Sequence, residues 1–89
     1  MTEIELASSI VKLLPQDYQE CMIFALASLK NSEQQDAKYR FKQFTIILHL
    51  NLYPGTKEYS DMSGKSFSYW LDWGTNLLAK LQRKQAVSA

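Results

Sequence analysis

The stretch from Lys38 to Pro54, KYRFKQFTIILHLNLYP, places the strongest constraint on how this chain can fold. It is too apolar for an ordinary surface helix and too short to cross a membrane. At about 100° per residue, its apolar residues occupy two opposite helix faces. One face holds Ala37, Phe41, Phe44, Leu48 and Leu52, and the other holds Tyr39, Ile46, Leu50 and Tyr53. We therefore expect a central helix covered on both sides, whose only solvent-exposed edge is formed by Lys38, Lys42 and His49.

The far end of this stretch, 45–53, allows a second interpretation. Leucines at every second position alternate with more polar residues, as they would in a half-buried strand. A strand needs a pairing partner, and the chain has no second alternating run and no tight hairpin signal. The pattern therefore favours a helix, with a strand as the alternative.

Length and composition indicate a single all-α domain spanning 1–89. The chain has 89 residues, which is too few for two separate cores. It is 46% hydrophobic and 21% charged, with only three Gly and two Pro, as in a globular helical protein. We predict a bundle of about four helices around the central one, at 2–14, 15–30, 32–53 and 66–85, with a polar loop at 56–65 and a frayed tail at 86–89.

Capping and helix-breaking residues set these boundaries. The signals are Thr2 with Glu5, Leu14-Pro15, Ser32 with Gln35, Tyr53-Pro54-Gly55, and Ser63 or Ser66. In the last predicted helix, Trp70 and Gly74 lie on the inner face, where Gly74 indicates a close approach to another helix. In the second, Cys21 lies on the apolar stripe with Met22 and is expected to be a small buried hydrophobe.

The charges are divided along the chain. Residues 1–36 hold six acids and two bases, whereas 37–89 hold eight bases and three acids. Such a division allows complementarity within the molecule, self-association, or a basic face for an anionic partner. The acidic N-terminal residues do not resemble a secretory signal, and no apolar run is long enough to span a membrane, so we expect a cytoplasmic protein.

The sequence contains no recognisable catalytic, metal or cofactor site. His49 is the only histidine and Cys21 the only cysteine, so neither a catalytic triad nor a metal-binding cluster can be assembled from the usual ligands. Gly64-Lys65-Ser66 lacks the earlier glycine and the preceding strand of a phosphate-binding loop. We expect a protein that is not an enzyme and that needs no cofactor or metal.

A surplus of large aromatic residues points to protein binding. On the last predicted helix, one face outside the inner stripe carries Tyr69, Trp73, Asn76, Lys80 and Lys84. Interfaces favour such residues, so we expect a regulator, adaptor or inhibitor that binds a larger protein through this face. The uncovered apolar faces also predict a homodimer.

Nucleic-acid binding is the alternative. In the segment KYRFKQF, basic residues alternate with aromatic ones, and more bases follow near the end of the last helix. The candidate contacts are Lys38, Arg40, Lys42 and Arg83. On a helix, however, these bases splay apart while the phenylalanines turn into the core, so most of the apparent motif is lost.

Overall fold

The computed structural model describes residues 2–55 and 59–88, and the side chains of 2–55 and 61–85. The described residues form helices and turns, without a strand. The helices are α1 (Glu3–Leu13), α2 (Gln16–Cys21), α3 (Ile23–Lys30), α4 (Ala37–Leu52), α5 (Tyr59–Ser63) and α6 (Phe67–Ser88), with a 3-10 turn at Gln34–Asp36 before α4. The predicted all-α bundle is confirmed, and the segment that could have been a strand is helical.

Helix α4 is the centre of the bundle, because it contacts each of the other five helices. Its first apolar face, with Phe41, Phe44 and Leu48, is buried in the main core together with residues of α1, α3 and α6. Its second face contributes Ile46 to a smaller cluster with Met62 of α5 and Trp70 of α6. The expected packing on both sides of the central helix is therefore confirmed.

The predicted solvent-exposed edge of α4 is only partly confirmed, since Lys38 is exposed but Lys42 and His49 are not. Lys42 is half-buried, and its Nζ donates a hydrogen bond to the carbonyl oxygen of Ser63 at 2.6 Å. His49 is also half-buried, with the rings of Tyr53, Trp70 and Trp73 around it. Apolar side chains face solvent instead, because α5 and α6 cover only part of the second face. These are Tyr39 and Tyr53, and Ile47, which lies between the two apolar faces, is exposed as well.

The predicted start of the central helix at Ser32 is wrong. The Ser32 hydroxyl donates to the carbonyl oxygen of Leu29 at 2.6 Å, so it closes the end of α3. The chain then passes through the 3-10 turn, and α4 begins at Ala37. At the other end, Gly55 has a φ of 79°, a left-handed conformation that glycine adopts without strain, as the predicted stop requires.

The predicted second helix is interrupted at Met22. The Met22 amide is shared between the carbonyl oxygens of Tyr18 and Gln19, which tightens the last turn of α2. Met22 is fully buried, but Cys21 is exposed, so the prediction of a buried cysteine is wrong. Cys21 lies at the edge of the predicted stripe, and the other members of the stripe are buried or half-buried, namely Tyr18, Met22, Ala25, Leu26 and Leu29.

The other two boundaries lie close to their predicted positions. Leu14 and Pro15 form the corner between α1 and α2, and the side-chain amide of Gln19 donates to the Leu14 carbonyl oxygen at 2.8 Å. Ser66 caps α6 by accepting a hydrogen bond from the Tyr69 amide. The predicted polar loop, 56–65, contains the short helix α5. Residues 56–58 of that loop lie outside the described part of the chain. Helix α6 reaches Ser88 instead of ending at 85.

Replacing Thr2 with alanine should destabilise α1. The Thr2 hydroxyl accepts a hydrogen bond from the Glu5 amide at 3.2 Å, as the capping spacing predicts. Loss of such a cap costs about 1 kcal/mol, which lowers the melting temperature of a domain this small by about 4–8 °C. Thermal unfolding followed by circular dichroism measures the shift. Thr2→Ser keeps the acceptor and should melt like the wild type, and an equal loss in both variants would contradict the capping role.

Candidate protein-binding surfaces

The predicted binding face on α6 is only partly exposed. Tyr69, Asn76, Lys80 and Lys84 lie at the surface, with the Lys65 ammonium 5.3 Å from the centre of the Tyr69 ring. Trp73 is half-buried and packs against both core clusters. Its ring centre lies 5.6 Å from that of Trp70 and 5.5 Å from that of His49. Trp73 therefore contributes mainly to packing, and the exposed part of this face is polar and basic.

The basic residues proposed for nucleic-acid contact are not gathered on one surface. Lys38 lies over the Phe67 ring at the start of α6, with its Nζ 5.6 Å from the ring centre. Arg40 contacts α3, where its Nη1 donates to both the carbonyl and the hydroxyl oxygen of Ser28 at 3.1 Å. Lys42 contacts the end of α5 at Ser63, and Arg83 is exposed near the end of α6. The bases of KYRFKQF therefore splay towards three different helices, as expected for a helical segment.

The largest exposed hydrophobic side chains lie elsewhere, on α3 and the first half of α4. Phe24 is 85% exposed and Tyr39 is 65% exposed. Together with Ile47 of α4 they border a groove of about 480 Å³ between the two helices, which we call the α3–α4 groove. Its lining also includes Ser28, Arg40 and Phe44. Ile23, the neighbour of Phe24 in the chain, is exposed as well.

The sequence of α3 explains why its outer face is apolar. The helix reads IFALASLK, with apolar residues around almost its whole circumference. A helix of this kind belongs in an interior, yet this chain covers only its inner side, where Leu29 is buried. Sequence reasoning missed this surface by treating the residues around Cys21 as core. The available signal was that helical spacing places Ile23 and Phe24 on the polar side of the predicted helix, on either side of Glu20 and away from the inner stripe.

A second groove, between α1 and α6, is less suited to recognition. It measures about 440 Å³ and is lined by residues that include Leu6, Leu71 and Leu78, with Thr75 and Gln82 at its sides. None of the large hydrophobic side chains found exposed in the described part of the chain lines it. The α1–α6 groove therefore has apolar walls but no protruding aromatic anchor.

Among the described residues, no three His, Cys, Asp or Glu side chains are grouped so that they could hold a metal ion. No described helix combines the length and the apolar character needed to span a bilayer. Comparisons with protein-family models, curated proteins and solved structures find no match to this chain. The function of this chain is therefore inferred from its own surface.

Proposed function

We propose that this chain is a small non-catalytic protein-binding module, acting as a regulator, adaptor or inhibitor of a protein assembly. The observation that carries the proposal is the α3–α4 groove, where Phe24 and Tyr39 stand exposed on either side of an apolar cleft. Keeping large apolar side chains in water is unfavourable, and contiguous exposed patches on soluble domains mark interaction sites. A cytoplasmic setting fits this role, because reducing conditions there keep an exposed single thiol such as Cys21 reduced.

The shape of the α3–α4 groove supports recognition of a folded protein surface. Arg40 is hydrogen-bonded to Ser28 across the two helices, which fixes α3 relative to α4. The groove floor includes Phe44, a fully buried residue of the main core. A binding surface that is rigid before contact loses little conformational entropy on binding. Exposed aromatic residues on such a frame are the usual anchors of protein interfaces.

The basic face of α6 supports a second contact with the same kind of partner. Tyr69 and Asn76 lie beside Lys80 and Lys84 along that face. Lysines at the rim of an interface mainly speed association with an acidic partner and contribute less to its lifetime. Nucleic-acid binding has weaker support, because Arg40 and Lys42 are both engaged in hydrogen bonds within the chain.

The proposal is tested by capture from an extract of the source cells, using tagged wild-type chain and three variants. We expect the wild type and Gln34→Asp to retain the same protein, because Gln34 is exposed and does not line the α3–α4 groove. Phe24→Asp should reduce that retention at least tenfold, since it places a charge on the main anchor. Tyr69→Asp tests the α6 face in the same way and should have the smaller effect.

Two results would contradict the proposal. Equal protein retention by the wild type and both aromatic variants would mean that neither surface binds protein. Retention of nucleic acid alone, at a salt concentration that screens general attraction, would instead favour the alternative function. In that case the candidate contacts Lys38 and Arg83, which remain at the surface, are the first positions to replace.

A further inference from the structure

We propose that the α3–α4 groove is occupied by the same groove of a second copy of this chain, in a two-fold symmetric dimer. The inference rests on the proposed function, because it names the partner of the surface described above. In a two-fold interface, one patch must supply both a protrusion and a cavity that receives it. The α3–α4 groove supplies both, since Phe24 protrudes from α3 at the border of an open cleft.

The α3–α4 groove carries little charge, so the grooves of two copies can face each other without strong repulsion. Two-fold pairing brings identical residues close together, so a patch with several like charges would repel itself. Of the described residues that line the groove, Arg40 alone is charged, and its guanidinium already donates to two oxygens of Ser28. The exposed face of α6 carries Lys80 and Lys84 with Arg83 nearby, so self-pairing there would be unfavourable.

The exposed aromatic area supplies about half of what a stable dimer needs. An aromatic side chain buries roughly 150–250 Å² when it is fully covered, so the exposed parts of Phe24 and Tyr39 offer on the order of 300 Å². Two copies would bury about twice that area from these residues alone. Ile23, Ile47 and the groove walls extend the contact towards the ~1,200 Å² at which stable interfaces begin.

The test is the solution mass of the full chain, measured by sedimentation across the micromolar range. The wild type and Gln34→Asp should sediment at twice the chain mass. Phe24→Asp should sediment as a monomer with unchanged helix content, because its side chain is too exposed to support the fold. Phe24→Ala should raise the dimer dissociation constant roughly a thousandfold, because the side chain is lost from both copies and each loss carries the ~30-fold factor typical of an interface hot spot.

A wild-type monomer throughout that range would overturn the inference, and so would a dimer that persists unchanged in Phe24→Asp. These two results can be told apart from a result that contradicts the proposed function. If the chain is monomeric while capture from extract still depends on Phe24, the groove binds a different protein, so the proposed function survives and the dimer does not. If neither measurement depends on Phe24, both are wrong.

Discussion

Trp70→Ala is expected to remove a large part of the stability of the protein and to lower its unfolding midpoint well below that of the wild type. Trp70 is 1% exposed and packs with Ile46 of α4 and Met62 of α5. Its indole Nε1 donates a hydrogen bond to the carbonyl oxygen of Met62 at 3.2 Å, so the same side chain also holds α5 in place. Truncating a buried tryptophan costs about 3–5 kcal/mol, against a total stability of about 5–15 kcal/mol for a natural domain.

Urea unfolding followed by circular dichroism measures this loss. Trp70→Phe is the matched control, because it keeps most of the ring but removes the indole donor, and it should fall between the wild type and Trp70→Ala. Trp73→Ala should also destabilise the chain, since Trp73 packs against both core clusters, but by less because it is half-exposed. An unfolding midpoint for Trp70→Ala close to that of the wild type would contradict the assignment of the second cluster as core.

Gly74→Leu is expected to destabilise the protein strongly, whereas Gly74→Ala should be tolerated. A Cβ at this position would lie 3.4 Å from Cζ of Phe41, and 3.7 Å from methyl groups of Ile10 and Leu6. These are ordinary contact distances, so a single methyl group fits without displacing its neighbours. Alanine also favours a helix interior by about 1 kcal/mol over glycine, which should leave Gly74→Ala as stable as the wild type or more stable.

A leucine side chain does not fit at position 74, because α1 and α4 pack closely against α6 at this point. Overpacking a tight core costs about 1–3 kcal/mol and sometimes more, and we expect a value at the upper end because the new atoms would point at the Phe41 ring and α1. Chemical unfolding of the two variants in parallel provides the comparison. Equal stability of Gly74→Leu and the wild type would mean that the helices do not pack closely at this point.

Features that depend on local chemistry or on strong periodicity could be predicted from the sequence. The corner at Leu14-Pro15, the stop at Gly55 and the close approach at Gly74 each follow from the backbone or steric properties of one or two residues. The burial of Trp70 follows from its place on a regular apolar stripe in a long helix. These predictions needed no information about neighbouring helices.

Features that depend on how much of a helix its neighbours cover could not be predicted. Helix α3 is apolar on nearly all sides, so helical spacing turns Phe24 away from the inner stripe but does not reveal whether another helix covers it. Tyr39 lies on the apolar second face of α4, but α5 and α6 cover that face at Ile46 and Leu50 and leave Tyr39 exposed. Cys21 lies at the edge of the predicted stripe, and its sequence position does not reveal that the neighbouring helices leave this edge exposed.

The candidate site was consequently only half predictable. The polar face of α6 follows from helical spacing, and Tyr69, Lys80 and Lys84 are at the surface as expected. Trp73 has the same spacing, but it packs against His49 and Trp70 instead of facing a partner. The α3–α4 groove arises from two segments that are distant in sequence and approach each other only in the folded bundle, so no local pattern specifies it.

The most direct test of the central claim, that the α3–α4 groove is a protein-binding surface shared by two copies, is a filtered nuclear Overhauser measurement on mixed chains. One copy is isotope-labelled and the other is not, so only contacts between copies are recorded. We predict that the ring protons of Phe24 in one copy contact Tyr39 or Ile47 in the other. Contacts between copies that involve only other surfaces, or no contacts between copies at all, would contradict the account.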